Sequence, residues 1–279
     1  MTPQQEACIP RVEFKLIPIK DLVSNQNYQR QLSENHILNA VRDFDIYQVN
    51  AVKVSRRDGI NYVFDGQHTI EIIASKSGSR DTPVWCMIYD DLQYQTEAHI
   101  FAEQQKHVKS LIPYEIFTAH MEAGDELQLM IDATVRSYNL EIKKTATSQA
   151  ICAVSTLEKI FTKYGYNVMD QSIRLLVATW EGEKNSLSGS MLMAVARMIV
   201  AYGDQLKEDV FKDHVGRVSV KSIARTAKER RPGALGYAEA MVLAYNTKNK
   251  YRLSMRKLYG GKGDPNEEDT EDEQAELEQ

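Results

Sequence analysis

The first third of the chain alternates apolar and polar residues over short stretches, which is the pattern of β-strands. Strands are predicted at residues 12–17, 51–55, 60–64 and 83–89. Gly59 lies in a predicted turn between the middle two strands. Helical spacing begins after Ser33, a candidate N-cap, and again after Gly66, with Gly78 as the predicted end of that helix. This part of the chain is therefore predicted to be an α+β domain.

Beyond Pro113 the apolar residues follow helical spacing almost throughout. Helices are predicted there at residues 126–137, 147–164, 168–181, 187–202, 206–214, 219–230 and 235–259. Before them, residues 95–107 are predicted to be helical, and Pro113 is predicted to open another helix at its first turn. The methionines of the later helices are predicted to fill the core, and so are Trp85 and Trp180. The change of pattern predicts an α+β domain at 1–140 followed by an all-α helical domain at 141–263.

Charge is distributed unevenly along the chain. Residues 1–140 carry 13 basic and 19 acidic side chains, and residues 141–263 carry 21 basic and 11 acidic ones. Residues 264–279 carry nine acidic side chains and no basic one. The net charge of −5 therefore hides a strongly basic helical domain. The acidic segment has too few apolar residues to bury a core, so it is predicted to be a disordered tail. This tail either solubilises the protein or competes with nucleic acid for the basic domain.

The sequence lacks the signals of secretion and membrane insertion. No apolar run approaches the roughly 18 residues of a membrane span, and the first residues lack the basic start and apolar stretch of a signal peptide. The three cysteines, Cys8, Cys86 and Cys152, are far apart and odd in number, which argues against a disulfide framework. We therefore expect a cytoplasmic protein with no membrane partner. Cys86 lies in an apolar strand and is predicted to be core packing rather than a reactive thiol.

The motif Asp65-Gly66-Gln67-His68-Thr69 lies where a strand is predicted to turn into a helix. Amide groups at the start of a helix have no acceptor within it, and the helix dipole makes this position slightly positive. Such a junction suits a phosphate, and Gln67, His68 and Thr69 add side-chain donors. Asp65 can hold a metal ion or polarise a hydroxyl group. A purely structural junction with Asp65 as the N-cap has the same pattern, so both interpretations stay open.

The context of this motif resembles the N-terminal domain of ParB proteins and its relative, sulfiredoxin. As in that superfamily, the segment Asn27-Tyr28-Gln29-Arg30 precedes a helix, a β-hairpin and then the motif. Residues 103–107, and then Pro113-Tyr114-Glu115, are similar to the next ParB box. The sequence most resembles the DGQHR-type ParB-like proteins of phages and mobile elements. The resemblance covers residues 12–120 and implies a ParB/sulfiredoxin-like fold for the first domain.

The resemblance also implies a nucleotide pocket. The nucleotide-binding residues would be Arg30, Asp65, Gly66, Gln67, His68, Thr69, Glu103 and Lys106, with a nucleoside triphosphate and Mg²⁺ as cofactor. Thr69 stands where the family has a phosphate-binding arginine, and Arg30 or Lys106 would then supply the charge. Gln67 stands where sulfiredoxins have a catalytic cysteine, which argues against sulfiredoxin chemistry. A homodimer is compatible with the resemblance.

The residues His99, Glu103 and His107 follow one another at four-residue spacing, so they share one face of a predicted helix. The outer two are about 12 Å apart along the helix axis, which is too far for one metal ion. At most two of them can bind an ion, with Asp65 or His68 completing the site. We interpret the row as a solvated polar face and predict no metal site.

The segment 217–231 is the best candidate for contact with DNA. Its apolar residues share one face of a predicted helix and its basic residues the other. The predicted DNA-binding residues are Arg217, Lys221, Arg225, Lys228, Arg230 and Arg231. Residues 208–216, with Gly216 in the turn, would be the first helix of a helix-turn-helix. A second basic cluster consists of Lys248, Lys250, Arg252, Arg256 and Lys257. An ordinary solvated helix face is the alternative interpretation.

The residues leave three functions open. The first is a ParB-like nucleic-acid-associated protein that binds a nucleotide at the motif and DNA through its helical domain. The second is a nucleotide-dependent phosphotransferase or nuclease, in which Asp65, His68 or Glu103 is the catalytic candidate. The third is a non-catalytic interaction module. The sequence does not decide whether the protein is an enzyme.

Overall fold

The computed structural model describes residues 2–6, 8–24, 28–29, 31–107 and 110–259, except the side chains of residues 105–107. The chain divides into two compact units, Met1–Ser110 and Leu111–Gln279. The predicted boundary at residue 140 falls inside the second unit, because Phe117, Ile131 and Val135 join the core of the later helices. The predicted acidic tail lies outside the described residues. Within the described ranges, no helix is long and apolar enough to cross a membrane.

The first unit contains a five-stranded mixed sheet. Its strands are β1 (Glu13–Pro18), β2 (Leu22–Ser24), β3 (Val52–Arg57), β4 (Ile60–Asp65) and β5 (Pro83–Tyr89), in the spatial order β1-β5-β3-β4-β2. The pairs β1–β5 and β3–β4 are antiparallel, whereas β3–β5 and β2–β4 are parallel. The helices are α1 (Pro3–Glu6), α2 (Glu34–Arg42), α3 (Gln67–Ser77) and α4 (Tyr94–His107). The predicted α+β class of this part is confirmed.

Local signals in the sequence correctly predict several element ends in this unit. The strand β5 has the predicted bounds. Ser33 caps α2 by accepting a hydrogen bond from the His36 amide at 3.3 Å. Gly78 ends α3 in the left-handed conformation, with φ of 71°. The strand β2 is missing from the prediction, because three residues are too few to show alternation.

The core of the first unit lies between one face of the sheet and α3. It includes Val52, Val54, Val63, Ile70, Val84, Cys86 and Ile88. Burial raises the pKa of the Cys86 thiol to about 11, and the prediction of core packing is confirmed. The prediction that Trp85 is a core residue is wrong, because 57% of it is exposed. Alternate side chains of a strand point to opposite faces, and Cys86 takes the buried one.

The second unit is helical apart from one short strand pair in its described residues. The helices are α5 (Pro113–Ala123), α6 (Glu126–Ser137), α7 (Val154–Tyr164), α8 (Tyr166–Trp180), α9 (Gly189–Tyr202), α10 (Glu208–Val215), α11 (Val220–Arg230) and α12 (Gly233–Asn246). The strands β6 (Glu141–Ile142) and β7 (Ala150–Ile151) are parallel, and a 3₁₀ helix covers Met255–Leu258. Met191, Met198, Met241 and Trp180 lie in the core, as predicted.

Two predicted helices of this unit are too long. The one predicted at 147–164 begins only at Val154, because the preceding residues pair with β6. The one predicted at 235–259 ends at Asn246. The Asn246 side chain accepts a hydrogen bond from the Leu253 amide at 2.7 Å and donates one to its carbonyl at 2.8 Å. These bonds hold the chain in a return loop, in which Lys248 has a φ of 53°.

Candidate phosphate pocket and nucleic-acid interface

Gly66 forms the turn between β4 and α3. Its φ of 98° lies in the left-handed region that favours glycine, and its carbonyl accepts a hydrogen bond from the Ile70 amide at 3.1 Å. A Cβ at this position would lie 3.3 Å from both Cα and Cγ2 of Val52 in β3. The turn therefore requires glycine, and it places the start of α3 directly beside the sheet.

An open pocket of about 230 Å³ lies at the start of α3. Its described walls are Gln29, Phe64, Asp65, Gly66, Gln67, His68, Thr69 and Phe101. The structure thus brings all five residues of the Asp65–Thr69 motif to one cavity. The helix start supplies backbone donors and a partial positive charge, whereas Phe101 supplies apolar surface. This combination suits a ligand that has a phosphate group and a flat apolar part.

Asp65 is paired with Lys53, which lies opposite it on β3. Lys53 Nζ is 3.6 Å from Asp65 Oδ2, and a β-bulge between Lys53 and Val54 sets this register. The two side chains are 29% and 44% exposed, so the pair is weak and Lys53 can turn towards an anion. Sequence reasoning missed Lys53, because its position opposite Asp65 depends on the register of the two strands.

His68 connects the start of α3 to the start of α2. Its Nε2 accepts a long hydrogen bond, 3.5 Å, from the Ser33 amide. Its ring also meets the His36 ring edge-on, with the ring centroids 5.4 Å apart. The neutral imidazole with an unprotonated Nε2 is the form that can accept the Ser33 bond. His68 therefore helps to hold α2 in place as well as lining the pocket.

Gln29 reaches the pocket from the segment that precedes α2. Its Nε2 donates a hydrogen bond to the Val63 carbonyl, and its Oε1 is buried with no hydrogen-bond partner among the described residues. The neighbouring Tyr28 packs against the rings of Tyr94 and Phe101 in α4. Sequence reasoning placed the nucleotide contact of this segment at Arg30, which lies outside the described residues.

Tyr28 is anchored by Glu97, a fully buried carboxylate of α4. The Tyr28 hydroxyl donates to Glu97 Oε2 at 3.3 Å, and Arg57 donates to the same carboxylate from Nε at 2.6 Å and from Nη2 at 3.3 Å. Arg57 also lies 4.3 Å from the centroid of the Tyr62 ring. Burial, followed by the charge of Glu97, raises the pKa of Tyr28 to about 12. This network fastens α4 and the Tyr28 segment to the sheet beside the pocket.

Two further residues of the predicted nucleotide site belong to α4. Glu103 is not among the described residues that line the pocket, and it lies about 200° around the helix from Phe101, which does line it. The side chain of Lys106 lies outside the described residues, as does that of His107. Among the side chains that the structure describes, no group of three histidine, cysteine, aspartate or glutamate residues could hold a metal ion.

The helix α11 has a buried apolar face and an exposed basic face. Ser219 caps the helix, and its hydroxyl accepts a hydrogen bond from the Ser222 amide at 3.2 Å. The buried residues are Val220, Ile223 and Ala227. The basic face of α11 consists of the exposed residues Lys221, Arg225 and Lys228. None of these three side chains forms an ion pair with a described residue, so their charges are available to a polyanion.

The other three predicted DNA-binding residues are arginines that already pair with carboxylates. Arg217 Nη2 donates to both carboxylate oxygens of Asp213, at 2.8 and 2.9 Å. Arg230 and Arg231 both bind Glu239 of α12, which is 1% exposed, and the Arg231 contact is 2.7 Å long. A buried carboxylate without a cation is costly, so these two arginines are needed to hold α11 against α12.

The helices α10 and α11 are joined by residues 216–219, as in the predicted helix-turn-helix. However, α11 packs mainly against α12, and α10 packs against α8 and α12. The contact between α11 and α12 is close at Gly236, where a Cβ would lie 2.7 Å from the Ala227 carbonyl oxygen. The helix-turn-helix stays a prediction, but the structure leaves the basic face of α11 exposed.

Two solved structures of the chromosome-partitioning protein ParB from Caulobacter crescentus are similar to this chain. C-terminally truncated ParB complexed with CTP-gamma-S has 13% identity and a TM-score of 0.33, and the match covers 82% of this chain and 99% of that one. C-terminally truncated ParB complexed to the centromeric parS site has 12% identity and a TM-score of 0.26, and the match covers 82% of this chain and 98% of that one. No curated protein matches the sequence.

A protein-family model, by contrast, matches most of the chain. The match covers residues 23–257, from β2 to the 3₁₀ helix that follows α12. It includes the Asp65–Thr69 motif as well as the basic face of α11, so both candidate sites lie within the family architecture. The chain belongs to DUF6551, which is described as a family of unknown function.

Proposed function

We propose that this protein is a ParB-like nucleic-acid-associated protein of a phage, a plasmid or another mobile element. Its first unit binds the phosphate groups of a nucleotide at the start of α3, and its second unit contacts DNA through the basic face of α11. The observation that carries the proposal is the pocket, in which Asp65–Thr69 lie together at the positive end of a helix. The ParB-like order of sequence motifs around this pocket supports the assignment.

The residues of the pocket fit a nucleoside triphosphate with Mg²⁺. The phosphates are held by backbone donors at the start of α3 and by the Thr69 hydroxyl, with Lys53 as the nearby cation. Mg²⁺ is usually held by one or two carboxylates together with the phosphates, and Asp65 is the carboxylate among the described walls. When bound, the ion would neutralise part of the phosphate charge. The ring of Phe101 offers apolar surface to the base.

A thermal-shift screen with ATP, ADP, CTP and GTP, with and without Mg²⁺, tests the pocket. A ligand at about 100 times its Kd stabilises the folded chain by about 2.7 kcal/mol. We expect a rise in Tm that is specific to one nucleotide and is lost in Asp65→Ala. The matched control is Asp81→Ala, which removes an exposed carboxylate paired with Lys20 in the same unit. If no nucleotide raises the Tm, the pocket assignment fails and the non-catalytic interaction module is favoured.

Salt-dependent binding to duplex DNA tests the basic face. Replacing its three residues with Gln removes three cations and leaves the buried face of α11 unchanged. If each cation contacts a phosphate, the slope of log K against log salt falls by about 3. The control replaces Lys250, Arg252 and Arg256, which are also exposed and belong to the second basic cluster. An equal loss in the control contradicts the role assigned to α11, and so does the absence of DNA binding both by the full chain and by a chain that ends at Gly263.

Asp65 also supports a second candidate function, that of a nucleotide-dependent phosphotransferase or nuclease. Its carboxylate is 44% exposed at the pocket and can act as a general base or a metal ligand. This function requires divalent-metal-dependent turnover of ATP or CTP that Asp65→Ala abolishes. Turnover that survives this substitution, or no turnover with any nucleotide, removes the candidate. The position of Glu103 away from the described pocket walls weighs against a second carboxylate in such a reaction.

A further inference from the structure

The last described residues are fastened beside the C-terminal end of α11. The Tyr259 hydroxyl donates a hydrogen bond to Glu239, the buried carboxylate that Arg230 and Arg231 also bind. The Arg231 guanidinium lies over the Tyr259 ring, 5.0 Å from its centroid. Leu258, the preceding residue, is buried in the core of the unit. Tyr259 therefore lies next to the C-terminal end of α11.

The contacts of Tyr259 with Glu239 and Arg231, which we call the Tyr259 anchor, bring the acidic segment 264–279 within reach of the basic face. Residue 264 is five positions beyond Tyr259, and five residues of extended chain span at most about 17 Å. The helix α11 rises about 1.5 Å per residue, so Lys221 lies only about 15 Å from Arg231 along the axis. The sixteen residues of the segment can therefore follow the whole basic face while Tyr259 stays in place.

The charges of the segment and of the helix are complementary. Residues 264–279 carry nine acidic side chains and no basic one, whereas α11 has Glu229 as its single acidic residue. Attraction between exposed charges extends over about 10 Å at 0.1 M salt. A segment on the same chain has an effective concentration in the range of about 1 mM, so even a weak contact is populated.

We propose that residues 264–279 dock on the basic face of α11 and compete there with DNA. The docking is argued from the Tyr259 anchor, from the length of chain that follows it and from the opposite charges of segment and helix. The competition also rests on the proposed DNA contact of α11. DNA then has to displace an internal polyanion before it reaches Lys221, Arg225 and Lys228. The segment thus lowers the affinity for any nucleic acid that binds through charge alone, and it leaves contacts made elsewhere on the protein unaffected.

The second basic cluster is the competing docking place, because it is closer to the segment in sequence. Its residues occupy an irregular loop and a 3₁₀ helix, so their charges do not form a straight row. Lys257 donates to Gln205 Oε1 at 2.9 Å, and Lys250 lies 4.9 Å from the centroid of the Tyr251 ring. The basic face of α11 instead offers three cations one turn apart, a spacing that an extended acidic segment can match.

Carbodiimide cross-linking of the full chain tests the docking, because the reagent joins a lysine amine to a carboxylate in contact with it. We expect links within one chain from Lys221 and Lys228 to residues 264–279, and their loss at high salt. Mass spectrometry of the digested monomer identifies the linked residues. Links from the segment to the second basic cluster alone, or no links from the segment, overturn docking on α11.

A chain that ends at Gly263 tests the competition. We expect it to bind duplex DNA about tenfold more tightly than the full chain at low salt, with the same Tm. This gain should vanish when the basic face is replaced by Gln. Equal DNA affinity of the two chains overturns the competition even where the cross-links form. If neither chain binds DNA, the proposed DNA contact fails as well, and the cross-links alone decide whether the segment docks.

Discussion

The carboxylate of Glu239 lies within α12, a helix whose other residues are mostly apolar, and it is 1% exposed. Arg230, Arg231 and the Tyr259 hydroxyl all bind it. The substitution Glu239→Gln keeps the shape of the side chain and one acceptor oxygen, but it removes the charge opposite two guanidinium groups. We therefore expect a chain that still folds and whose second unit is less stable.

The expected loss is about 2 kcal/mol in the free energy of unfolding. Removing one partner of a fully buried ion pair costs about 3–5 kcal/mol. Here the arginine side chains are 35% and 39% exposed, so water solvates part of their charge and lowers the cost. The amide oxygen of Gln also keeps one hydrogen bond. For a unit of this size, a loss of about 2 kcal/mol corresponds to a fall of about 4–8 °C in Tm.

Tryptophan fluorescence during urea unfolding can follow the second unit by itself. The chain has two tryptophans, Trp85 in the first unit and Trp180 in the second. Trp180 Nε1 donates to the Val218 carbonyl at 3.1 Å, and its ring meets that of Phe211 edge-on, so its emission depends on the packing of this unit. In a Trp85→Phe background, the transition seen by fluorescence belongs to the second unit.

Glu229→Gln is the matched control for this measurement. Glu229 is exposed on α11, and the substitution makes the same chemical change without removing a buried charge. We expect it to alter the stability by less than about 0.5 kcal/mol. If Glu239→Gln destabilises the unit no more than Glu229→Gln does, the explanation of α11–α12 packing by a buried ionic network is refuted.

Three further predictions concern single residues or pH. Gly66→Ala should destabilise the first unit by about 1–2 kcal/mol, because alanine must adopt a φ of 98° and its Cβ meets Val52; urea unfolding measures this loss. Glu97→Gln should lower the free energy of unfolding of the first unit by about 2–3 kcal/mol, because the carboxylate that binds Arg57 loses its charge. It should also lower the pKa of Tyr28 from about 12, which ultraviolet titration of the phenol checks. The second unit should lose stability as the pH rises from about 10 to about 12, since burial, followed by the Asp170 hydrogen bond, raises the pKa of Tyr138 to about 12. Over this range the folded state retains a proton that the unfolded state has lost, and Tyr138→Phe should flatten the slope.

The elements that depend on neighbouring residues could be predicted from sequence, and those that depend on distant ones could not. The turn at Gly66 and the end of α3 at Gly78 follow from glycines at positive φ. The end of α12 depends instead on hydrogen bonds from Asn246 to Leu253, seven residues away, and apolar spacing continues past it. The exposure of Trp85 could not be predicted, because the alternation of a strand does not reveal which of its two faces the rest of the chain covers.

The candidate pocket shows the same division between local and distant determinants. Residues 65–69 are consecutive, and the strand-to-helix junction that brings them together is visible in the sequence. Lys53 approaches the motif through the register of β3 against β4, and Phe101 through the packing of α4. Gln29 stands beside the predicted Arg30, yet its bond to the Val63 carbonyl is a contact across 34 residues. None of these three contacts has a signal in periodicity or composition.

The sequence does not distinguish the six basic residues of segment 217–231 as candidates for DNA contact. In the structure Glu239 pairs with two of them and so separates these from the residues of the basic face. This one carboxylate, placed within an apolar helix, binds Arg230 and Arg231, and the same contact holds Tyr259 at the end of α11. Glu239 thereby limits the unpaired basic residues of α11 to the basic face. It also fixes the position of Tyr259, from which the chain leads to the acidic segment. Under the docking proposal, Glu239→Gln should release Tyr259, lengthen the tether and lower the effective concentration of the segment at α11. The DNA affinity of the full-length variant should then rise towards that of the chain ending at Gly263, and an unchanged affinity would show that the anchor does not control the docking.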